Sequence, residues 1–191
     1  MFTIGIDLDG TLSESIENTL SASQIEKFRK LYNKFRVKEP KSLQGKAMEF
    51  AMRKFFDYKW RHWENVKLLS DDIPQAIEDL SKIAKILIIT STFGKKEYIE
   101  NWLEANEIIY DGIVFSPPNE KWKYCDMLID DRLDVIREAT KRNKIGILIS
   151  EKEKTNYGEN IIMANNWEDV VEAIEKTFII LTFRFLYNNN S

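Results

Sequence analysis

Short, uninterrupted apolar runs recur along this chain, at Thr3–Asp7, Ile86–Thr90, Gly112–Phe115, Met127–Asp130, Ile145–Ile149 and Ile161–Ala164. A strand that is apolar at successive rather than alternate residues must be covered on both faces, and helical stretches lie between most of the runs. They are read from about Pro74, over Lys95–Asn106 and Leu133–Asn143, and from Trp167 to Lys176. Pro74 suits a first helical turn, where its missing N–H would have had no intrahelical partner. The pattern predicts an α/β fold with a parallel sheet between two helical layers.

One interval breaks the rhythm. Ile25, Phe28, Tyr32 and Phe35 recur at spacings of three, four and three, Pro40 interrupts, and a second helical stretch runs from Lys41 to Trp63. Residues 13–69 are therefore expected to form a small helical cap inserted after the first strand, with 1–12 and 70–187 making up the core. The apolar run Phe178–Tyr187 is broken by Arg184 and is too short for a bilayer needing about 20 residues, so it is expected to be a packed terminal strand or helix end. It could also serve as a contact in a homodimer.

Composition narrows the class. With 43% apolar residues in 191, the chain can bury a real core, and 31 acidic against 28 basic residues give no reason to expect a stable nucleic-acid partner or a polybasic membrane contact. A single cysteine, Cys125, and a single histidine, His62, exclude an internal disulfide and fall far short of a zinc set. Cys125 reads as a small buried filler, His62 as structural or exposed, and Trp102 and Trp167 as helix residues packing on the sheet. The first residues lack the basic start, long apolar stretch and cleavage site of a signal peptide, so a cytoplasmic protein is expected.

Polar residues gather where strands end: Asp7 and Asp9 after the first, Thr90 and Ser91 after the second, Asp130 and Asp131 after a later one. The carboxyl ends of strands in a doubly wound sheet line one crevice, where ligands bind. Four carboxylates there would repel one another unless a cation intervened, and an all-oxygen donor set favours Mg2+ with a phosphate guest. A carboxylate attacking a phosphate also needs a cationic side chain, which Lys121 or Lys123 can supply, and donors such as Thr90 and Ser91. Asp9 is placed to protonate a leaving oxygen and later to activate water.

Asp7-Leu8-Asp9-Gly10-Thr11, the strand ending in Thr90-Ser91, and Met127-Leu128-Ile129-Asp130-Asp131 together resemble the motifs of the haloacid dehalogenase (HAD) superfamily of phosphatases. The resemblance implies a HAD-like Rossmannoid three-layer sandwich, with Asp7 as nucleophile and Asp9 as acid/base. Its catalytic and phosphate-binding lysine is taken as Lys121, with Lys123 the alternative. Mg2+ would be held at Asp7, at Asp9 through its backbone carbonyl, and at Asp130, with Asp131 in support. An Asp at position 9 weighs against dehalogenation. Within the superfamily the chain is most similar to the small 5'(3')-deoxyribonucleotidases and their bacterial and phage relatives, which share an inserted cap, Thr-Ser in the second motif and a late segment matched by Asn156 and Asn166-Trp167-Glu168-Asp169-Val170.

The implied partner is a small phosphorylated substrate, a (deoxy)nucleoside monophosphate, whose base would stack on cap aromatics such as Phe56, Trp60 and Trp63, although aromatics so placed more often pack a core and Trp60 and Trp63, three apart, could pack the cap helices together. Two other readings stand beside it. One is a sugar-phosphate or nucleic-acid-end phosphatase, and the other a regulatory module that binds metal or phosphate without turnover.

Overall fold

Both edges of β1 (Thr3–Ile6) are taken, so it runs through the middle of the sheet. It pairs in parallel with β2 (Lys85–Thr90), Ile6 opposite Ile88, and with β4 (Met127–Asp130), Ile6 opposite Ile129. β3 (Gly112–Phe115) lies outside β2, while β5 (Ile145–Ile149) and β6 (Ile161–Ala164) extend the other side. The order is β3-β2-β1-β4-β5-β6, parallel throughout. This computed structural model describes residues 1–14, 43–150 and 160–188. The expected helix around residues 25–35 and Asn156 lie outside them.

Side chains alternate across the pleat, so the continuous apolar strands feed two cores. Ile4, Ile6, Ile86, Ile88 and Ile129 face one side, where α2 (Ile73–Ser81), α3 (Lys96–Ala105) and α5 (Trp167–Asn188) bring Ile77, Trp102 and Trp167. Ile89, Leu128 and Leu148 face the other, covered by Val135, Ile136 and Ala139 of α4 (Leu133–Thr140), with Cys125 filling the gap beside them. Burial pushes the Cys125 thiol up to about 12, which leaves it a packing residue rather than a nucleophile.

The excursion between β1 and α2 leaves and re-enters the core at one place. Glu14 N–H donates to Lys67 O over 3.0 Å and Leu69 N–H to Leu12 O over 2.8 Å. Within the excursion, α1 (Leu43–Arg61) is followed by a single 3-10 turn, Trp63–Asn65.

One helix end differs from the sequence expectation, and at another the helical alternative for the apolar run holds over the strand. α4 stops at Thr140 rather than Asn143, because Asn143 takes a left-handed backbone (φ 58°), a conformation that ends helices. α5 continues through the apolar run to Asn188, and Phe178 packs edge-on against Phe2 at 4.8 Å between ring centres. Among the described residues no helix is long and apolar enough to cross a membrane.

Candidate active site

Strand order reverses between β1 and β4, which opens a crevice at their carboxyl ends. Asp7, one residue past β1, is held there by its own backbone, its N–H donating to Ile129 O over 2.9 Å. Asp130 closes β4 beside it. Between the two carboxylates lies the ammonium of Lys121, 2.6 Å from Asp7 Oδ1 and 2.7 Å from Asp130 Oδ2. Lys121 belongs to a 3-10 segment, Pro118–Tyr124, running into β4, and only 1% of it is exposed. Lys123, the other candidate, points to the surface and pairs with Glu120. Arg132 N–H completes the Asp130 carboxylate at Oδ1 over 2.9 Å.

The charge balance is one cation short. Ligand atoms of Asp7, Asp130 and Asp131 lie within 4.8 Å of one another, against the single charge of Lys121. Burial, then repulsion from Asp130, pushes Asp7 up to about 7 although Lys121 pulls the other way. Burial likewise raises Asp130, and burial followed by repulsion from Asp7 lifts Asp131 to about 6. Burial disfavours the charge on Lys121, but the two carboxylates outweigh it and its pKa moves up. A compact set of oxygen donors with excess negative charge suits a hard divalent cation. Gly10 permits the set to be this tight: its φ is 91°, and a Cβ there would come within 2.6 Å of Asp131 Oδ2.

Asp9 is placed differently from the other acids. Its Oδ1 accepts from Lys59 Nζ at 2.6 Å, so its carboxylate is tied to α1 instead of joining the three-acid group. The same ammonium, in a residue 2% exposed, donates to Ser13 Oγ at 3.1 Å and to Glu14 O at 2.8 Å. Thr11 in the same turn is fully buried, and its hydroxyl has no hydrogen-bond partner among the described residues.

Thr90 ends β2 and Ser91 opens the loop after it. Thr90 Oγ1 accepts the Thr92 N–H over 3.0 Å, a tight turn that points the loop across the strand ends. Thr90, Ser91, Phe93 and Gly94 form one wall of a cavity of about 530 Å3, bordered by Phe115 at the end of β3, by Pro117 beyond it and by Arg53 of α1. The Arg53 guanidinium stacks 4.4 Å from the Phe93 ring centre, and Phe56 meets the same ring edge-on at 6.3 Å.

Of the aromatics expected to meet a base, Trp60 cannot. It is fully buried, packs edge-on against Trp102 at 5.7 Å and donates its indole N–H to Thr92 Oγ1 over 3.0 Å. Trp63 packs against the core, and Phe56 stays partly exposed. In the late segment, Asn166 Oδ1 caps α5 by accepting the Asp169 N–H over 2.7 Å, and Trp167 is buried in the core. His62 is exposed against Tyr58.

Sequence reasoning missed Lys59, Arg53 and Phe93. A signal for Lys59 existed. Phe56, Lys59, Trp60 and Trp63 follow the spacing that puts residues on one helical face, and a lysine on an apolar stripe calls for a buried partner.

No family model and no curated protein matches the chain. Solved structures do. A haloacid dehalogenase-like family hydrolase from Streptococcus pneumoniae is similar over 91% of this chain and 98% of its own, with a TM-score of 0.59 and 19% identity. A HAD phosphatase from Thermococcus onnurineus matches 91% of this chain and 98% of its own (TM-score 0.57, 15% identity). An L-2-haloacid dehalogenase matches over 91% and 99% (TM-score 0.57, 12% identity). At such identities the likeness is one of fold: the chain has the HAD-like Rossmannoid architecture.

Proposed function

We propose that this chain is a magnesium-dependent phosphomonoester hydrolase that works through a phospho-aspartate at Asp7, with a nucleoside monophosphate as its substrate. The observation carrying this reading is Lys121 lodged between Asp7 and Asp130, in a crevice whose three carboxylates outnumber its one ammonium by two charges.

Asp7, Asp130, Asp131 and the backbone carbonyl of Asp9 would hold the Mg2+, which supplies charge neutralisation for an incoming phosphate. Lys121 steadies Asp7 through Oδ1 and leaves its other oxygen to attack phosphorus. A bond forms from Asp7 to phosphorus as the bond to the leaving oxygen breaks, and Asp9 gives that oxygen a proton. Thr90, Ser91 and Lys121 would donate to the phosphoryl oxygens as charge builds on them. Water then attacks phosphorus and Asp9 takes its proton. The Asp7–phosphorus bond breaks to give inorganic phosphate and the original carboxylate.

A cap over residues 13–69 would admit the substrate and exclude bulk water during these steps. The base would lie in the cavity beside Thr90 and Ser91, where the exposed rings of Phe93 and Phe115 offer stacking surfaces. Phosphate release from ribo- and deoxyribonucleoside monophosphates, sugar phosphates and 3'-phosphorylated oligonucleotides, with Mg2+ and with EDTA, tests both parts. Mg2+-dependent preference for mononucleotides is expected. Rejection of mononucleotides with turnover of another monoester would overturn the substrate but keep the chemistry, and no Mg2+-dependent release from any of them would overturn both.

A further inference from the structure

Two consecutive residues in the last turn of α1 grip the two loops that would carry the reaction. Lys59 donates to Asp9 Oδ1, Ser13 Oγ and Glu14 O, all in the turn after β1. Its neighbour Trp60 donates to Thr92 Oγ1 after β2 and packs so closely on Gly94 that a Cβ there would come within 2.7 Å of the indole. The three N–H bonds of one ammonium are thus all used, which fixes the lysine and with it the Asp9 rotamer. Of the described residues, Lys59 alone hydrogen-bonds the Asp9 carboxylate.

We infer that Lys59 is a positioning residue for the second half of the reaction: it holds Asp9 where it takes the proton from the water that hydrolyses phospho-Asp7. This rests on the phosphatase reading above and goes beyond it, because it places in α1 a determinant of which step limits turnover. A side chain that transfers a proton acts only from within hydrogen-bond reach of the reacting atom, and Asp9 sits on a short turn otherwise held by backbone bonds and by Ser13 Oγ donating to Leu8 O, none of which touches its carboxylate. Without the ammonium, that carboxylate loses its only anchor among the described residues. The proton transfer suffers, while attack by Asp7, steadied separately by Lys121, is spared whenever the leaving group needs no protonation.

The test compares K59M and K59R with the unaltered protein in rapid-mixing experiments with Mg2+, using p-nitrophenyl phosphate and an alkyl phosphate. For K59M with the aryl substrate, the expected result is a burst of about one equivalent of nitrophenolate per site, then steady turnover about 10- to 100-fold slower, with KM little changed. With the alkyl phosphate, whose leaving oxygen also needs the Asp9 proton, the rate falls further and no burst appears. K59R, which keeps a charged donor, recovers most of the loss. K59Q, uncharged but still a donor, is read in the same way should K59M fail to fold.

Unchanged kcat in K59M overturns the assignment, as does an equal loss on both substrates without a burst, which is the mark of general structural damage. If the unaltered protein shows no Asp7-dependent turnover of either ester, the phosphatase reading itself falls and takes this role with it. Normal turnover in the unaltered protein, beside a variant without the expected burst, overturns the role of Lys59 alone.

Discussion

Lys121 Nζ stands 2.6 Å from Asp7 Oδ1 although 114 positions of chain separate them, and neither side chain is more than marginally exposed. Breaking a buried pair by removing one partner leaves the other charge uncompensated, so the pair cannot be altered from one side without cost. Lys121→Met is expected to lower kcat by about 100-fold or more through loss of its charge at the developing transition state. Lys123→Met, at the surface on Glu120, should leave kcat within about twofold, and Asp7→Asn should abolish turnover while the far-ultraviolet spectrum stays unchanged. Steady-state kinetics on p-nitrophenyl phosphate decide; equal effects at Lys121 and Lys123 would remove Lys121 from the mechanism.

Stability of the metal-free protein should depend on pH in a particular direction. Asp7 moves from an ordinary 3.8 to about 7 on folding, so between those values the folded state holds a proton that the unfolded chain has released. Stability is therefore lost as pH rises from about 4 to about 7, and above that the folded state carries the full burden of a buried anion. Asp131, raised to about 6, adds in the same direction. In EDTA, the urea midpoint should fall between pH 5 and pH 8, flatten in Asp7→Asn, and recover on addition of Mg2+ at pH 8. A midpoint that rises over this interval in the unaltered protein and in Asp7→Asn alike would show that other groups govern the trend.

Gly10→Ala forces a side chain into a positive φ and against the Asp131 carboxylate. The backbone strain alone should cost about 1–3 kcal/mol. Displacement of Asp131 should also weaken Mg2+ binding, seen as a higher Mg2+ concentration for half-maximal thermal stabilisation. Gly112→Ala, whose added carbon would meet only Leu87 Cδ2 at 3.3 Å, serves as the comparison and should not change the Mg2+ requirement.

Trp60 and Phe93 should separate by what they change. Trp60→Ala empties a core site and should cost about 3–5 kcal/mol in urea unfolding. Phe93→Ala removes a ring that is 37% exposed on the cavity wall and should cost little stability while raising KM for nucleoside monophosphates several-fold. KM measured with ribose 5-phosphate as well would show whether the ring meets the base, because loss of stacking leaves a substrate without a base unaffected.

The strands were legible in the sequence because a parallel strand buried on both faces must be apolar at every step. Gly112–Phe115, Met127–Asp130, Ile145–Ile149 and Ile161–Ala164 stand where their apolar runs do. The convergence of Asp7, Asp130 and Asp131 followed from the same topology, since each stands where a strand ends. Contacts between distant segments were not legible. Nothing local distinguishes a terminal strand from a helix over Phe178–Tyr187, and it is the packing of Phe178 on Phe2 that accompanies the helix. Trp60 stayed open between packing and a ligand for a related reason: an aromatic one turn from Phe56 and near Trp63 looks the same whether its face meets a ligand or Trp102. The stripe around Lys59 called for a buried partner, but which partner was hidden, because Asp9 lies fifty positions upstream.

The excursion after β1 begins and ends beside itself, with Leu12 and Leu69 joined by a 2.8 Å hydrogen bond. Such a doorway makes the intervening stretch exchangeable: its length and sequence can drift, or be replaced outright by a graft, without pulling on the sheet, provided that the lysine and tryptophan at the end of α1 still reach the loops they hold. A lineage could thus rework that stretch without disturbing the strand ends, and a designer could do the same, keeping two residues and changing their setting.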